Sequence, residues 1–575
     1  MRKTLVLLAC CLGIYIHAQN ITPDRRTDWT PGFFDLEPDT VINVLDYGFT
    51  NDGSADCSPG FYNILIDFPT EKIKIYFPPG TYVFNGTLSC RSNMIIEGAG
   101  ADSTFLKFNG NGSSSFIQVN GSIDPPQHFI YPSHCAKDDT YIIPQTLPAL
   151  QAGDFIKLFE DDAGRITSVW STGMIGQILE VDTVINNNIH FTRPLRMSFD
   201  SINNPRFSKI NLVHHVMISC LSIERMDATA GQTSNIDFTG AAYCRINGIK
   251  SLKTNFAHVS LSGCHNVHVT NSYFKNAHAY GGGGQGYGVV LQFMSGNCLV
   301  QNNIFEHLRH SILLQAGANG NTVGYNYSRD AYWAEFPNNS AGDIVIHGNY
   351  PYMNLFESNS VQNIRIDESH GMNGPFNTFY RNRAELYGII MTHASDNQNF
   401  VGNEIPGTVF GYFILSGLGH YSYGNNDGGT VVPNGTSSVT DTTLYLTADN
   451  PYYGLINDLP VIGYPNVLSS NQILAMENYS NGFLSSCLPQ FTLPVDTNIA
   501  SIPVYMSAAS IVYPNPTQYE IQIRDLESGT WIEIYNAGGI LIRKEKYNNS
   551  VLMIDLAPGI YILKVEGHYY KVIRS

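Results

Sequence analysis

Charge is what this chain has least of. Only 14% of its 575 residues are Asp, Glu, Lys or Arg. With 32 basic against 48 acidic residues the net charge is -16, and no long basic run occurs. That excludes the phosphate-neutralising surface on which sequence-independent nucleic-acid binding depends. Lysine is missing altogether between Lys275 and Lys544. No long apolar run occurs beyond the N-terminus, which excludes a bundle of membrane-spanning helices. No Cys-x-x-Cys pair is present, so neither a zinc site nor a thioredoxin-like motif is indicated. The richness in Ala, Glu, Lys, Leu and Arg that marks a coiled coil is absent too. What is plentiful is aromatic side chain, at 12%, together with Gly and Asn. This mix is too apolar for disorder, and the length calls for more than one domain.

Both ends carry an address. Residues 1–18 combine Arg2-Lys3, an apolar stretch from Leu5 to Ile14 and a small residue, Ala18, which reads as a secretory signal peptide. Leu7-Leu8-Ala9-Cys10 also fits a lipoprotein signal, with Cys10 as the anchor. Cleavage after Ala18 leaves Cys57, Cys90, Cys135, Cys220, Cys244, Cys264, Cys298 and Cys487. An oxidising compartment permits disulfides among them, but their connectivity is not legible and buried thiols are the alternative. At the other end, Ile511-Val-Tyr-Pro-Asn-Pro516 precedes short alternating strands. These are Glu520–Ile523, Trp531–Tyr535 and Tyr561–Val565, with turn signals at Gly538-Gly539 and Pro558-Gly559. The spacing predicts a small antiparallel sandwich over residues 511–575, behind a linker over 491–510. The motif set resembles the type A C-terminal sorting domain of the Bacteroidetes type IX secretion system. The resemblance implies a secreted or cell-surface protein, type IX secretion machinery as partner, and removal of this domain on the way out. An ordinary terminal Ig-like module is the other reading.

The body opens with Val41–Gly48, Asn51-Asp52-Gly53, Ile73–Tyr82 and Met94–Gly100, brief apolar strands closed by Gly or Pro. These phrases resemble the N-terminal cap and first rungs of the pectate-lyase-like superfamily of right-handed parallel β-helices, the rhamnogalacturonase/epimerase-like group. After Asp56, Cys57-Ser58-Pro59-Gly60 stands where the family carries a second acidic residue and a longer capping helix. Asp46, Asp52 and Asp56 accordingly read as turn and cap residues.

Between about Val216 and Glu404 a repeat is visible from the residues alone. Phrases ending in Asn303, Asn326, Asn359, Asn382 and Asn403 recur at intervals of 23, 33, 23 and 21. A period near 23 with one ten-residue loop is one turn of a parallel β-helix, and the recurring Asn predicts a side-chain ladder at one corner. The fold class expected is all-β. A right-handed parallel β-helix over residues 40–405 is interrupted by an antiparallel insertion near 125–211 and extended by residues 406–490, with the small sandwich at the end.

Chemistry is expected where rungs carry unusual side chains. Aligning the phrases places Gln292, Gln315, His347, His370 and His393 at the ends of successive strands, the histidines at equal intervals of 23. On that alignment three imidazoles stack on one face. Asp343, Arg365, Asp367 and Glu368 lie nearby, and Tyr332, Trp333, Tyr350 and Tyr352 offer flat surfaces for sugar rings. Gln292 and Gln315 extend the binding face. A purely structural histidine ladder is the plain alternative. A metal is not called for, because parallel, equally spaced imidazoles do not converge tetrahedrally. No cofactor is indicated, and calcium is not legible in the sequence.

Two chemistries fit these residues. A lyase taking the C5 proton of a uronate needs a base and a cation for the carboxylate. His370, positioned by Asp367 or Glu368, and Arg365 are the candidates. A glycosidase needs two carboxyls, for which Asp343 and Asp367 are the candidates. The paired aspartates and Gly-His-Gly of polygalacturonase-type hydrolases are absent, with Ser369-His370-Gly371 only a partial echo. The expected function is action on extracellular polysaccharide by a monomer, with a non-catalytic glycan-binding or adhesin-like surface protein as the alternative.

Overall fold

The computed structural model describes residues 21–123, 129–130, 135–407 and 411–437, shorter stretches within 439–487, and most of 512–574. The expected signal peptide over 1–18 and linker over 491–510 lie outside the described residues. Two compact units divide between Leu488 and Pro489.

The first unit is a coil of three parallel sheets. The first sheet has twelve strands, from Thr40–Asn43 through Leu299–Gln301, Thr322–Gly324 and Leu355–Glu357 to Tyr421–Tyr423. The second runs through Gly80–Phe84, Thr104–Phe108, Tyr273–Lys275, Ile304–Glu306 and Tyr327–Arg329. The third runs through Ala257–Ser262, Tyr287–Gln292, His310–Leu314 and Ile344–His347. One long strand, Ser360–Asp367, serves both of the last two sheets, pairing in parallel with Tyr327–Arg329 at one end and Ile344–His347 at the other. Such crossovers between parallel strands are right-handed.

Each strand is short because each makes one side of a turn, and its inward residues meet their counterparts one rung away. Val300, Val323, Phe356, Phe379 and Phe400 occupy one column of the first sheet. The three Phe rings stack at 4.9 and 5.1 Å, nearly parallel. The expected Asn ladder is present. Asn303, Asn326, Asn359, Asn382 and Asn403 each donate from Nδ2 to the Oδ1 of the next, ending at Asn425, at 2.9–3.1 Å. A second ladder, Asn321–Asn354–Asn377–Gln398, runs at another corner at 2.9–3.0 Å. These amides satisfy backbone groups that the tight corners would otherwise bury unpaired.

Three further features brace the coil. The extended segment from Arg25 to Asp35 lies across the rungs. Arg25 bonds Asn399, the Trp29 indole donates to the Met353 carbonyl at 2.7 Å, and Asp35 pairs with Arg245 at 3.1 Å. Residues 439 and 441–446 and the helix Leu474–Ser480 contribute Val439, Tyr445 and Ala475 to a second apolar cluster with Trp29, Leu299 and Leu355. A disulfide joins Cys220 to Cys487, while Cys57, Cys90, Cys135, Cys244, Cys264 and Cys298 are buried thiols.

One expectation is corrected at the cap. Cys57-Ser58-Pro59-Gly60 does not replace the helix but starts it, since Ser58–Asp67 is α-helical with Phe61 and Ile64 fully buried against the first rungs. Pro59 sits in the first turn, where its missing N–H costs nothing. Asp56 caps this corner, accepting from the Ser58 amide at 3.0 Å and its hydroxyl at 2.6 Å.

The insertion is a six-stranded antiparallel sheet from Phe129–Ile130 to Arg206–Ile210, with its own core of Ile156, Leu158, Leu179 and Phe207. The second unit packs a three-stranded and a four-stranded antiparallel sheet around Ile521, Ile532, Ile534 and Leu563.

Candidate functional site

The register of the third sheet differs from the even histidine spacing. His347 lies opposite Asp367, 20 residues on, and Ile364 lies opposite Ile389, 25 residues on. The corner between the second and third sheets is absorbed into the continuous strand Ser360–Asp367, and Arg383–Met391 carries two more residues at that point. Three imidazoles therefore do not stack. His370 sits in the turn beyond Asp367, where the Gly371 amide bonds the Glu368 carbonyl at 3.1 Å. His393 is exposed, its Nδ1 accepting from the Glu368 amide at 3.2 Å.

What the register creates instead is an imidazole–carboxylate pair. His347 Nδ1 lies 2.8 Å from Asp367 Oδ1 and 2.9 Å from Oδ2. The His370 ring meets His347 edge-on at 4.7 Å, and the buried His310 ring lies 6.3 Å from His347 on the other side. Burial works against the Asp367 anion. The hydrogen bond and charge of His347, with the hydroxyl and amide of Ser369, outweigh it and hold Asp367 at about 2. Burial lowers His370, with the neighbouring His347 charge adding and Asp367 opposing. Arg365, two residues before Asp367 on the same face, is half-buried, and its Nε has no hydrogen-bond partner among the described residues.

The remaining candidates divide sharply. Asp343 is fully buried. Ser328 donates to it at 2.6 Å and the Gln362 and Asn363 amides at 3.0 and 2.8 Å. Burial raises it to about 6 against those bonds. It splices two strands together and does not reach the face, so the Asp343–Asp367 carboxyl pair is not formed. Glu368 accepts from the Asn373 amide and the Ser395 hydroxyl, both at 3.1 Å, and does not touch His370. Gln315 donates to Gln292 at 2.8 Å in the rungs below His347, and both are largely buried. Tyr352 is buried with its hydroxyl on the Gly176 carbonyl at 2.8 Å, which removes it as a sugar platform. Tyr350 stays partly open beneath the Arg165 guanidinium, 5.3 Å away. Tyr332 stacks on His307 at 4.9 Å. Trp333 lies 5.8 Å from Arg309, at the opposite end of the strands from His347.

The insertion brings a residue the repeat could not reveal. Its loop bridges Ile166 to Gly371, bonds the His370 carbonyl through the Ser168 hydroxyl at 3.3 Å, and sets Trp170 edge-on to His370 at 5.7 Å. Trp170 is 46% exposed. A row of rings thus crosses the third sheet. From the Trp333–Arg309 end it passes Tyr287 and His310, 5.0 Å apart, then His347 and His370, and ends at Trp170. Among the described residues no group of three His, Cys, Asp or Glu side chains is placed to hold a metal.

Comparison with known proteins follows the same division of the chain. Residues 41–129 match the family model for rhamnogalacturonase A/epimerase, pectate lyase-like, and residues 511–575 match that for the secretion system C-terminal sorting domain. No curated protein matches. Among solved structures the chain is similar to the tailspike protein gp49 from Pseudomonas phage LKA1, with 17% identity and a TM-score of 0.45, over 63% of this chain and 62% of that one. It is also similar to an iota-carrageenase complexed to iota-carrageenan fragments, with 12% identity and a TM-score of 0.29, over 67% and 60%. A third is the Streptococcus pneumoniae surface protein and adhesin PfbA, with 12% identity and a TM-score of 0.30, over 66% and 100%. The chain thus spans less than two thirds of the tailspike's length. Its first rungs are pectate-lyase-like, its body is a parallel β-helix, and its last residues, 511–575, are a type IX sorting domain that marks a secreted or cell-surface protein.

Proposed function

We propose that the protein cleaves an acidic extracellular polysaccharide by elimination, with His347 as the base. The observation that carries this reading is the bond between His347 Nδ1 and Asp367. An ionised Asp367 keeps the proton on Nδ1 and leaves Nε2 as the free base. Held at about 2, Asp367 stays a carboxylate at neutral pH and is unsuited to act as a general acid. With Asp343 buried in the strand junction, a two-carboxyl hydrolase has less support than elimination.

In the proposed step the C5 proton of a uronate passes to His347 Nε2. The electron pair forms the C4–C5 double bond, and the glycosidic oxygen leaves C4 with a proton from water. Arg365 pairs with the substrate carboxylate and stabilises the charge that develops on it. His370 keeps an uncharged ring beside the sugar at neutral pH. The sugar chain lies across the coil, between Trp170 and Trp333, because the rings line up along the strands and not along the axis.

The test is a panel of uronate polymers assayed for ultraviolet absorbance of unsaturated ends and, separately, for new reducing ends. Unsaturated product that disappears in His347→Ala is the expected result. Reducing ends without unsaturation mean a hydrolase, and binding with neither product means an adhesin-like surface.

A further inference from the structure

A separate concave site is lined in part by the loop that carries Trp170. It is a cleft of about 310 Å³ between the antiparallel insertion and the corner after His347, lined by Lys137, Glu160, Arg165, Arg196, Tyr350 and Phe376 among others. The volume is at the lower bound for pockets that hold a small organic ligand.

Its charges are unbalanced. Three cations and one carboxylate line it, Lys137 also pairs with the exposed Asp138 at 2.8 Å, and Arg196 is 2% exposed with no ion pair to any described carboxylate. Its two terminal nitrogens bond the side-chain oxygens of Asn319, at 2.7 Å, and Asn297, while Nε is buried and unpartnered. A buried cation without a counter-ion is costly, and an anionic ligand nearby offsets that cost. Glu160 is 1% exposed. One of its oxygens takes Arg165 at 2.8 Å and Asn203 at 3.4 Å, while Oε2 is buried with no partner among the described residues.

The two unused groups point to different parts of one ligand. A simple inorganic anion would be drawn by the cations and repelled by Glu160. A molecule with both a carboxylate and hydroxyl groups satisfies both, with the carboxylate toward Arg196 and Lys137 and a hydroxyl donating to Glu160 Oε2. Tyr350 and Phe376 supply the flat apolar walls that a sugar ring packs against. We infer that this cleft is a binding site for a uronate unit, separate from the His347 site. The inference deepens the acidic-polysaccharide reading and rests on it only for the choice of sugar.

Calorimetric titration of the full chain with trigalacturonate, a neutral galactose trisaccharide and inorganic phosphate tests it. Trigalacturonate should bind the wild-type protein and His347→Ala equally, and at least tenfold more tightly than the neutral trisaccharide. Lys137→Gln and Glu160→Gln should each weaken binding at least tenfold, with unchanged circular dichroism. Lys137 is peripheral, so its variant remains informative even where the Glu160 variant misfolds. Equal binding by both cleft variants, or competition by phosphate at the same affinity, would overturn the inference. Loss of binding in His347→Ala alone would also overturn it, by moving the ligand to the other site. Absence of turnover with cleft binding intact counts against elimination and leaves the cleft standing.

Discussion

Asp367 accepts the Nδ1 proton of His347 from the next rung, and no other described side chain replaces that contact. Asp367→Asn keeps the shape and can present its amide to the ring, which frees the opposite tautomer. On the proposed mechanism kcat/KM falls by about 10²–10⁴-fold, with circular dichroism unchanged. Steady-state assay of unsaturated product checks it, and activity within threefold of wild type would remove Asp367 from the site. His370→Ala is expected to cost less, since the His370 ring meets the proposed base edge-on without holding it. That His347, His370 and Asp367 lie close together was legible in the sequence, because unusual side chains recurred near strand ends. Which carboxylate met which imidazole was not, because the loop between Arg329 and Ile344 has no counterpart in the continuous strand Ser360–Asp367, and its loss shifts the pairing without disturbing the sequence period.

Among the elements, the corners carry the regularity and the loops carry the exceptions. Asn382 illustrates the first. Its oxygen accepts from the Asn359 amide and side chain, and its nitrogen donates to Phe356 O at 2.8 Å and to Asn403. Asn382→Ala leaves several of these groups buried and unpaired, which predicts a loss of about 1–3 kcal/mol in urea unfolding. A change below about 0.5 kcal/mol would mean that the ladder is not a main support of the coil. The first Asn ladder was readable because it recurs with the coil period. The second escaped notice because its members fall outside the repeated phrases and one of them is a glutamine, Gln398. The capping helix was missed for a different reason. Cys57-Ser58-Pro59-Gly60 departs from the family's phrase, yet Phe61 and Ile64 gain enough burial on the first rungs to hold a helix there.

At the scale of the whole molecule, burial of histidine makes stability depend on pH. Burial pushes His258, His265, His268 and His310 down to about 3, and His215 to about 4. The unfolded chain therefore binds more protons than the folded one below about pH 6.5, and these groups destabilise the fold as pH drops. Buried acids act in the opposite direction, two of them strongly. Asp343, raised to about 6, and Glu357, raised to about 8, contribute stability that is fully present below the unfolded carboxylate range and lost as pH rises through those values. The five strongly shifted histidines outweigh the two strongly shifted carboxyls and predict a net fall in Tm between about pH 6 and pH 4, which thermal unfolding across that range measures. A flat profile would mean that the buried imidazoles take up protons in the folded state. For export, deletion of residues 511–575 is expected to leave the protein in the periplasm of a host with type IX secretion, with its body still folded. The reason is that the sandwich has its own core. Appearance of the truncated protein in the medium, or its failure to fold, would refute this.

The sequence by itself determined the coil, because a solenoid repeats one local unit. Each turn shows its strand, its corner Asn and its Gly in the chain order, and stacking adds only copies of the same contact. It also determined the sorting domain, whose strands and turns are contiguous. Tertiary structure alone decided the site. The His347–Asp367 pair depends on a register set by corner lengths, and Trp170 reaches His370 from an insertion some 200 residues away in the chain. The cleft at Glu160 and Arg196 likewise exists only where that insertion meets the coil. Local periodicity encodes contacts between neighbours in sequence, whereas these groups become neighbours only after the chain has folded.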